Sequence, residues 1–336
     1  MADLDFREFQ DEDFDAVRTL YQEVWREARD ERYDRMRYLE TMHGRCIATI
    51  AMDGDVCAGW WMVWPLTFAA GPETVLGGQA IDTMTHPAYQ GRGLFVRLAS
   101  MNNELCAKHG LKLLIGMPNR QAVGGYQRHL AWATPTSISA YVRPLSLRGF
   151  MPGGGIFSPA LRLLPTTRTR GREVGRERPS DVQLEACLSA SAAPKNIWRI
   201  QRSPRWYSYR YQAAGKVEYR WCAVYKDGAL DGFAVWGLPV DRSVGMTRAN
   251  LVDLVGSDEG MEVAAGAAVR DARDAGADLL AALVTSKVRA KPLVRNSFVR
   301  YRATPLIARG LDAASFSANP YDARAWDLFG GDFDIV

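Results

Sequence analysis

Between Thr85 and Phe95 the chain reads T-H-P-A-Y-Q-G-R-G-L-F, a run that joins the end of an apolar strand to the start of an amphipathic helix through a glycine-rich turn. Upstream, Val75 to Met84 is strand-like. Downstream, Leu94, Leu98, Met101, Leu105 and Cys106 recur at helical spacing as far as His109-Gly110, a C-terminal stop. Such a junction is a phosphate cradle. A helix start presents backbone N–H groups without intrahelical partners and the positive end of the helix dipole, and Gly91 and Gly93 let a pyrophosphate reach the backbone without hindrance from Cβ. Arg92 adds charge. Leu111 to Met117 then reads as a short buried strand, and Asn119 to Trp132 as a short helix that carries Tyr126 and ends in an aromatic.

This order of strand, Q-x-x-G-x-x turn, helix, strand and N-x6-Y helix resembles the acyl-CoA-binding core of the GNAT (Gcn5-related N-acetyltransferase) superfamily, over Asp3 to about Pro144. The remaining elements fit. Leu4 to Phe9 is the first strand. Asp11 to Arg29 is the first helix, with Asp11 as N-cap and Phe14, Val17, Leu20, Tyr21 and Val24 on one face. A second helix runs near Tyr33 to Met42, and Cys46 to Met52 with Val56 to Trp64 forms a hairpin across Asp53-Gly54. One position departs from the family pattern: Phe95 stands where Gly or Ala is usual, and its ring is expected to crowd the first helical turn.

The resemblance implies direct transfer of an acyl group from acetyl-CoA, or another acyl-CoA, to an amine, with no metal. The backbone of Met84 and Thr85 would pair with the pantetheine arm and polarise the thioester carbonyl. Gln90, Gly91, Arg92, Gly93, Leu94 and Phe95 would hold the pyrophosphate, Asn119 would touch the arm, and Tyr126 would donate a proton to the departing thiolate. For the base, Asp82 lies on the strand that feeds the turn, where alternation puts it with Ala80 and Met84, and apolar neighbours would raise its pKa. A water-relayed base, His86 and His129 are the alternatives; His86, just before Pro87, also suits a role in shaping the turn, and His43 reads as structural. The four histidines lack ligand spacing.

With 336 residues, more than one domain is expected, since domains cluster at roughly 100 to 150 residues. A Gly/Pro/Thr-rich stretch from about Leu147 to Pro179 opens with Met151-Pro-Gly-Gly-Gly155 and carries Arg162, Arg168, Arg170, Arg172, Arg176 and Arg178 against only Glu173 and Glu177. It reads as a solvated linker, with an anion-binding surface as the alternative. Beyond it the chain repeats itself. Cys222 to Trp236, broken at Asp227-Gly228, echoes Ile47 to Trp64, and a strand (Arg248 to Val255), a helix (Glu259 to Ala275) and a strand (Ala277 to Thr285) follow. In this copy Asp258 and Glu259 occupy the place of the phosphate turn, so it should not bind CoA.

The predicted fold is therefore α/β, with mixed and mostly antiparallel sheets flanked by helices, in two tandem GNAT-like domains: a catalytic 1–146, a linker 147–179, and a degenerate 180–336 on the acceptor side. Asn196-Ile-Trp198-Arg199 to Pro204 and Tyr207 resembles a segment of some two-domain GNAT proteins, where its aromatics either stack on substrate or pack against the sheet. Trp60, Trp61 and Trp64 likewise line the acceptor pocket or fill the core. The closing Trp326 to Asp334 resembles the end of such proteins, with Asp332 and Asp334 facing the cleft or forming a solvated tail. A net charge of +4 announces no nucleic-acid partner. No apolar run reaches the ~18 residues a bilayer span needs, the acidic Met-Ala-Asp start is unlike a signal peptide, and five cysteines without C-x-x-C spacing suit a cytoplasmic chain, a monomer or homodimer. The function classes left open are an N-acyltransferase acting on a small amine (an amino sugar, amino acid or natural-product intermediate), a non-catalytic acyl-CoA-binding module, and a GNAT-fold enzyme of other chemistry such as O-acyl transfer or acyl-CoA decarboxylation.

Overall fold

Two tight turns seed the sheets. In the computed structural model, which describes residues 4–148, 154–169, 171–191, 194–212, 217–239, 245–311 and 316–333, the chain forms thirteen strands and eight helices among the described residues. In order these are β1 (Asp5–Glu8), α1 (Phe14–Trp25), α2 (Glu31–Tyr38), β2 (Ile47–Asp53), β3 (Val56–Ala70), β4 (Glu73–Thr85), α3 (Leu94–Lys108), β5 (Leu113–Gly116), α4 (Arg120–Leu130) and β6 (Ala133–Pro144). There follow β7 (Glu173–Gly175), α5 (Asp181–Ala190), β8 (Arg199–Ile200), α6 (Pro204–Arg210), β9 (Val217–Lys226), β10 (Ala229–Pro239), β11 (Arg248–Gly256), α7 (Asp258–Asp274), β12 (Leu279–Val284), α8 (Lys287–Arg295) and β13 (Val299–Gly310). The β9–β10 turn has Asp227 at φ 51° and Gly228 at φ 80°, the left-handed pair of a type I′ hairpin. The β2–β3 turn falls one residue later than the Asp53-Gly54 pair suggests: Asp53 pairs Val56, and Gly54, at φ 57°, is the first loop residue.

The chain divides into two compact units that do not follow the boundaries at 146 and 180. Unit 1 comprises Met1–Thr136, Lys195–Gln201 and Thr304–Ala325; unit 2 comprises Ser137–Pro194, Arg202–Ala303 and Trp326–Val336. Sheet pairing explains the difference. In unit 1 the order is β1-β2-β3-β4-β5-β13, with β8 on the far end of β3. The outer neighbour of β5 is therefore β13, Ile307 against Gly116 through Gly310 against Leu113, and not the β6 that follows it in sequence. In unit 2 the order is β6-β12-β11-β10-β9-β7, with β6 antiparallel to β12 from Ser139–Val284 to Pro144–Leu279.

The expected linker is built into unit 2. Residues 154–163 form a 3-10 helix, β7 pairs β9, and Arg172 binds Asp231 and Glu259, each at 2.6 Å. Arg176 pairs Asp271 and Arg178 pairs Asp181, so much of the charge that looked solvated is spent inside the unit. Met151–Gly153, Arg170, Asp334 and the Met-Ala-Asp start lie outside the described residues.

Both faces of the unit 1 sheet are filled. Trp61, Leu98, Leu114, Tyr126, Trp132 and Ile307 form the core under α3 and α4, while Trp60 packs edge-on against Phe9 and beside Tyr38 on the α1–α2 side. The three tryptophans of β3 are thus core residues. In unit 2, Trp236, Leu251, Val263, Leu280 and Phe329 are core. Trp206, Tyr207 and Tyr211 stack on one another and on Trp221, and Trp198, in unit 1, donates Nε1–H to the Ala318 carbonyl at 3.1 Å; these rings pack. The first helix is shorter than expected and Asp11 is not its cap. Asp11–Asp13 make a 3-10 turn, in which the Asp13 carboxylate accepts Gln10 N–H at 2.9 Å, and α1 ends at Arg26 in the left-handed region.

Candidate active site

The site begins with a break in a ladder. β4 and β5 pair in parallel from Gly77–Leu113 to Ala80–Gly116; β5 then ends, while β4 continues to Thr85. On the other side of β4, Ile81 faces Met62 and Met84 faces Trp60, so Asp82 and Thr83 together oppose Trp61 alone. This is a bulge, and Asp82 sits in it at φ 46°, a conformation rare for a residue with a Cβ. Past Ala80, one edge of β4 has lost its strand partner, leaving backbone donors and acceptors that an extended ligand can pair.

The bulge sends its two side chains to opposite faces. Asp82 turns toward the α1–α2 side, where Oδ2 accepts from Arg29 Nη1 at 2.8 Å, Tyr38 OH at 2.9 Å and Arg37 Nη2 at 3.1 Å. Arg29 also pairs Asp34 at 2.7 Å, and Arg18 reaches Asp34 from α1. Burial pushes the Asp82 carboxyl up, but the guanidinium charges of Arg37 and Arg29 and the bonds from Arg29 and Tyr38 outweigh it and hold its pKa below the ordinary value. The expected apolar surroundings and raised pKa are thus corrected: regular alternation fails at a bulge, and the arginines come from more than forty residues away. A carboxylate so held stays anionic and is a weak base.

Thr83 faces the other way, within hydrogen-bonding reach of Tyr126. Tyr126 is buried in a box of rings: Trp61 at 5.3 Å between centroids, Phe95 at 5.3 Å and Trp132 at 5.2 Å. Burial raises the phenol pKa, opposed by the Thr83 bond, so the hydroxyl keeps its proton at neutral pH. Phe95 belongs to this box. Its ring leans on α4, where a Cβ at Gly125 would stand 3.1 Å from Cε1, and on Trp61 at 4.9 Å. The expected crowding falls on α4, which gives way with a glycine, and not on the turn.

The turn itself is open. Gly91 and Gly93 are both at φ 76°, with nothing within 4 Å of where a Cβ would stand, and Gln90 through Gly93 are exposed. Gly93 caps α3 without a side-chain bond, and the first intrahelical bond runs from Arg97 N–H to its carbonyl at 3.2 Å. The N–H groups of Leu94, Phe95 and Val96 therefore precede any intrahelical partner. Arg92 donates to the Ala88 carbonyl at 3.2 Å and lies over the Tyr89 ring. His86 accepts Ala88 N–H on Nδ1 at 3.1 Å, and its Nε2 lies 2.5 Å from Glu23, so both ring nitrogens are engaged in shaping the turn. His129 is exposed on α4. Asn119 caps α4, its side-chain oxygen accepting Ala122 N–H at 2.9 Å, a local role that sequence reasoning missed although Asn before a helix is a capping signal.

Residues 5–133 match the family described as acetyltransferase (GNAT) domain. This stretch is a GNAT domain. Solved structures extend the likeness of fold over nearly the whole chain. A GCN5-related N-acetyltransferase from Anabaena variabilis is 11% identical, with a TM-score of 0.66 over 92% of this chain and 74% of its own. A probable N-acyltransferase from Enterococcus faecalis is 10% identical, with a TM-score of 0.69 over 94% and 74%. The N-myristoyltransferase of Saccharomyces cerevisiae, solved with myristoylCoA, is 12% identical, with a TM-score of 0.65 over 96% and 89%. A search of curated proteins finds no significant sequence match.

Unit 2 repeats the order of hairpin, strand, helix, strand and helix found in unit 1, without an open turn. Ser257 caps α7 by accepting Gly260 N–H at 2.9 Å, and its own N–H binds the Asp231 carbonyl at 2.9 Å. A Cβ at Gly260 would stand 2.4 Å from that carbonyl, which leaves no room for a phosphate. Where β11 and β12 part company after Leu251–Ala282, the C-terminal segment enters: Phe329 bridges Val284, Thr285 N–H binds the Leu328 carbonyl at 3.1 Å, and Gly330 touches Leu251 and Val252. Asp332 is buried there and pairs Arg202 at 2.7 Å, so the expectation of a solvated tail is corrected. Hydrophobic spacing in Trp326, Leu328, Phe329 and Phe333 was the available signal.

Proposed function

We propose that the protein is an acyl-CoA-dependent N-acyltransferase that moves an acetyl group onto a small amine, with catalysis confined to unit 1. The observation that carries the reading is the gap between β4 and β5 beyond Ala80–Gly116, bordered at one end by the uncapped Gly91–Gly93 turn and flanked by the protonated hydroxyl of Tyr126. The pyrophosphate would lie on the N–H groups of Leu94, Phe95 and Val96, with Gln90 and Arg92 beside it. The pantetheine arm would extend along Met84 and Thr85 toward Asn119. The acceptor nitrogen attacks the thioester carbonyl, the C–N bond forms as the C–S bond breaks, and Tyr126 hands its proton to the thiolate. Of the two protons the ammonium gives up, one leaves through water, because Asp82 and His86 are already engaged, and the other restores the Tyr126 hydroxyl. Asp82 acts in this reading as a fixed negative charge that, held by Arg29 and Arg37, sets the bulge.

The five free, buried cysteines suit a reducing, cytoplasmic setting. The plugged gap and closed turn of unit 2 support its assignment as a degenerate GNAT-like half. Thiol release from acetyl-CoA over a panel of amines tests the proposal. Amine-dependent release supports transfer; tight CoA binding without release would make the protein a binding module, and release from malonyl-type thioesters alone would make it a decarboxylase. Gly93→Val should weaken CoA binding by about 2 kcal/mol, since the turn needs a left-handed φ and an unobstructed backbone.

A further inference from the structure

Unit 2 holds a cavity of about 380 Å³ between the end of β6, the 3-10 helix at 154–163 and the C-terminal end of α7. Its walls carry Arg148, Arg162 and Arg273, with Ser146, Ser158 and Asp278. The walls are tied by backbone. Leu145 N–H and Ser146 N–H both bind the Asp278 carbonyl, at 2.8 and 3.1 Å, and Leu147 N–H binds Ser158 Oγ at 2.9 Å. The cavity is thus a built feature and not a gap between loose loops.

Its charge is only partly compensated, by the wall carboxylate Asp278 and, for Arg273, by the C-terminal end of α7 on which it stands. Arg273 has Nε and Nη2 buried without hydrogen-bond partners, and among the described residues no carboxylate forms an ion pair with Arg148, Arg162 or Arg273. The wall carboxylate, Asp278, accepts Thr247 N–H at 3.0 Å. Behind Arg273 lies fully buried Arg143, whose guanidinium is held by the carbonyls of Pro165 at 2.9 Å and Leu164 at 3.2 Å and by Thr166, with no anion. Burial and then the charge of Arg273 together lower the Arg143 pKa to about 10; Arg273 is lowered in turn by burial and by Arg162, with exposed Asp274 opposing. Buried polar groups are satisfied in most folded proteins, and like charges gathered without counter-ions cost stability. An arrangement that survives such a cost fits one that an anion completes, and the volume lies within the range of small-molecule sites.

We propose that this cavity binds a phosphorylated small molecule, with half-buried Arg273 as its anchor, Arg148 and Arg162 on the phosphate oxygens, and one hydroxyl of the Ser146–Ser158 pair, whose oxygens lie 3.3 Å apart, as a further donor. It shares no residue with the acyl-CoA site, and so would let a second metabolite be sensed or held by the unit that does no chemistry. Arginine forks match phosphate oxygens in pairs, which is why guanidinium groups suit this ligand class better than a monocarboxylate.

Calorimetric titration of the full chain with inorganic pyrophosphate, alone and after saturation with CoA, tests this. The CoA-saturated protein should still bind pyrophosphate. Arg162→Gln, at an exposed residue with no partner to lose, should weaken that binding at least about 10-fold, and Arg273→Gln should abolish it, while both leave CoA affinity unchanged. Pyrophosphate binding that disappears on CoA saturation, or that is unaltered in Arg162→Gln, overturns the proposal; loss of CoA affinity in either variant overturns the separateness of the two sites. If Arg273→Gln fails to fold, Arg162→Gln decides alone.

Discussion

Tyr126 hydroxyl chemistry depends on a box of three rings, and that separates its two roles experimentally. Tyr126→Phe keeps the packing against Trp61, Phe95 and Trp132 and removes only the proton, so kcat should fall about 10- to 1000-fold with little change in CoA affinity. Wild-type turnover in that variant would leave Tyr126 as packing alone. Asp332 offers a test at the same scale in unit 2. Burial raises its carboxyl to about 6, with Arg202 opposing and Asp253 adding to the rise. An acid whose folded pKa lies above its unfolded one binds more protons when folded, so stability increases as pH falls through 6 and is lost as pH rises past it. Between pH 7 and pH 5 the wild type should gain about 1.4 kcal/mol relative to Asp332→Asn, read as the difference between their denaturation midpoints at each pH. A difference independent of pH would mean that Asp332 titrates as an ordinary surface acid. Single positions were legible in the sequence where they are set locally, as the left-handed turn at Gly91 and Gly93 and the place of Tyr126 on its helix are; the rings of Trp61, Phe95 and Trp132 around Tyr126 were not. Asp82 was not, because its partners Arg29, Arg37 and Tyr38 arrive from the α1–α2 region.

Among elements, β4 shows how one irregular step sets a site. A continuous β4–β5 ladder would leave no edge for a ligand, and the bulge at Asp82 and Thr83 accompanies the loss of that pairing. The α1–α2 arginines hold the bulge, so Arg37→Met, which removes one of the two cations on a buried carboxylate, should cost about 3–5 kcal/mol in chemical denaturation. A loss within the scatter of surface substitutions would show that the bulge is kept by the strand itself. Hairpins, the strand into the glycine turn and the helices after it were readable from spacing, since each is determined by residues close in sequence. A bulge leaves no such mark: apolar and polar residues simply appear out of phase by one, as Ile81, Asp82, Thr83 and Met84 do. Nor does composition show that an arginine-rich, glycine-rich stretch will find carboxylates, as Arg172 and Arg176 do with Asp231 and Asp271.

For the whole molecule, the sheet partners decide what can stand alone. Residues 1–146, expressed separately, lack β8 and β13 and expose the edge of β5. An unpaired central edge invites association with other chains, so this fragment should sediment as aggregate or lack dispersed amide signals, whereas the full chain should be soluble. A monomeric 1–146 with full CoA affinity would show that β13 is dispensable to the site. The strand exchange lay beyond sequence reasoning, because β6 and β13 both mix apolar with polar residues and neither pattern singles out the partner of β5. It has a consequence for the life of the chain before it is complete. Gly116 must wait for Ile307, roughly 190 residues later, and at about 5–20 residues per second a ribosome takes on the order of 10–40 s to deliver it. The nascent first half carries its glycine turn and its aromatic box through that interval with one sheet edge bare, so chaperone occupancy on the ribosome should persist until the last strand emerges.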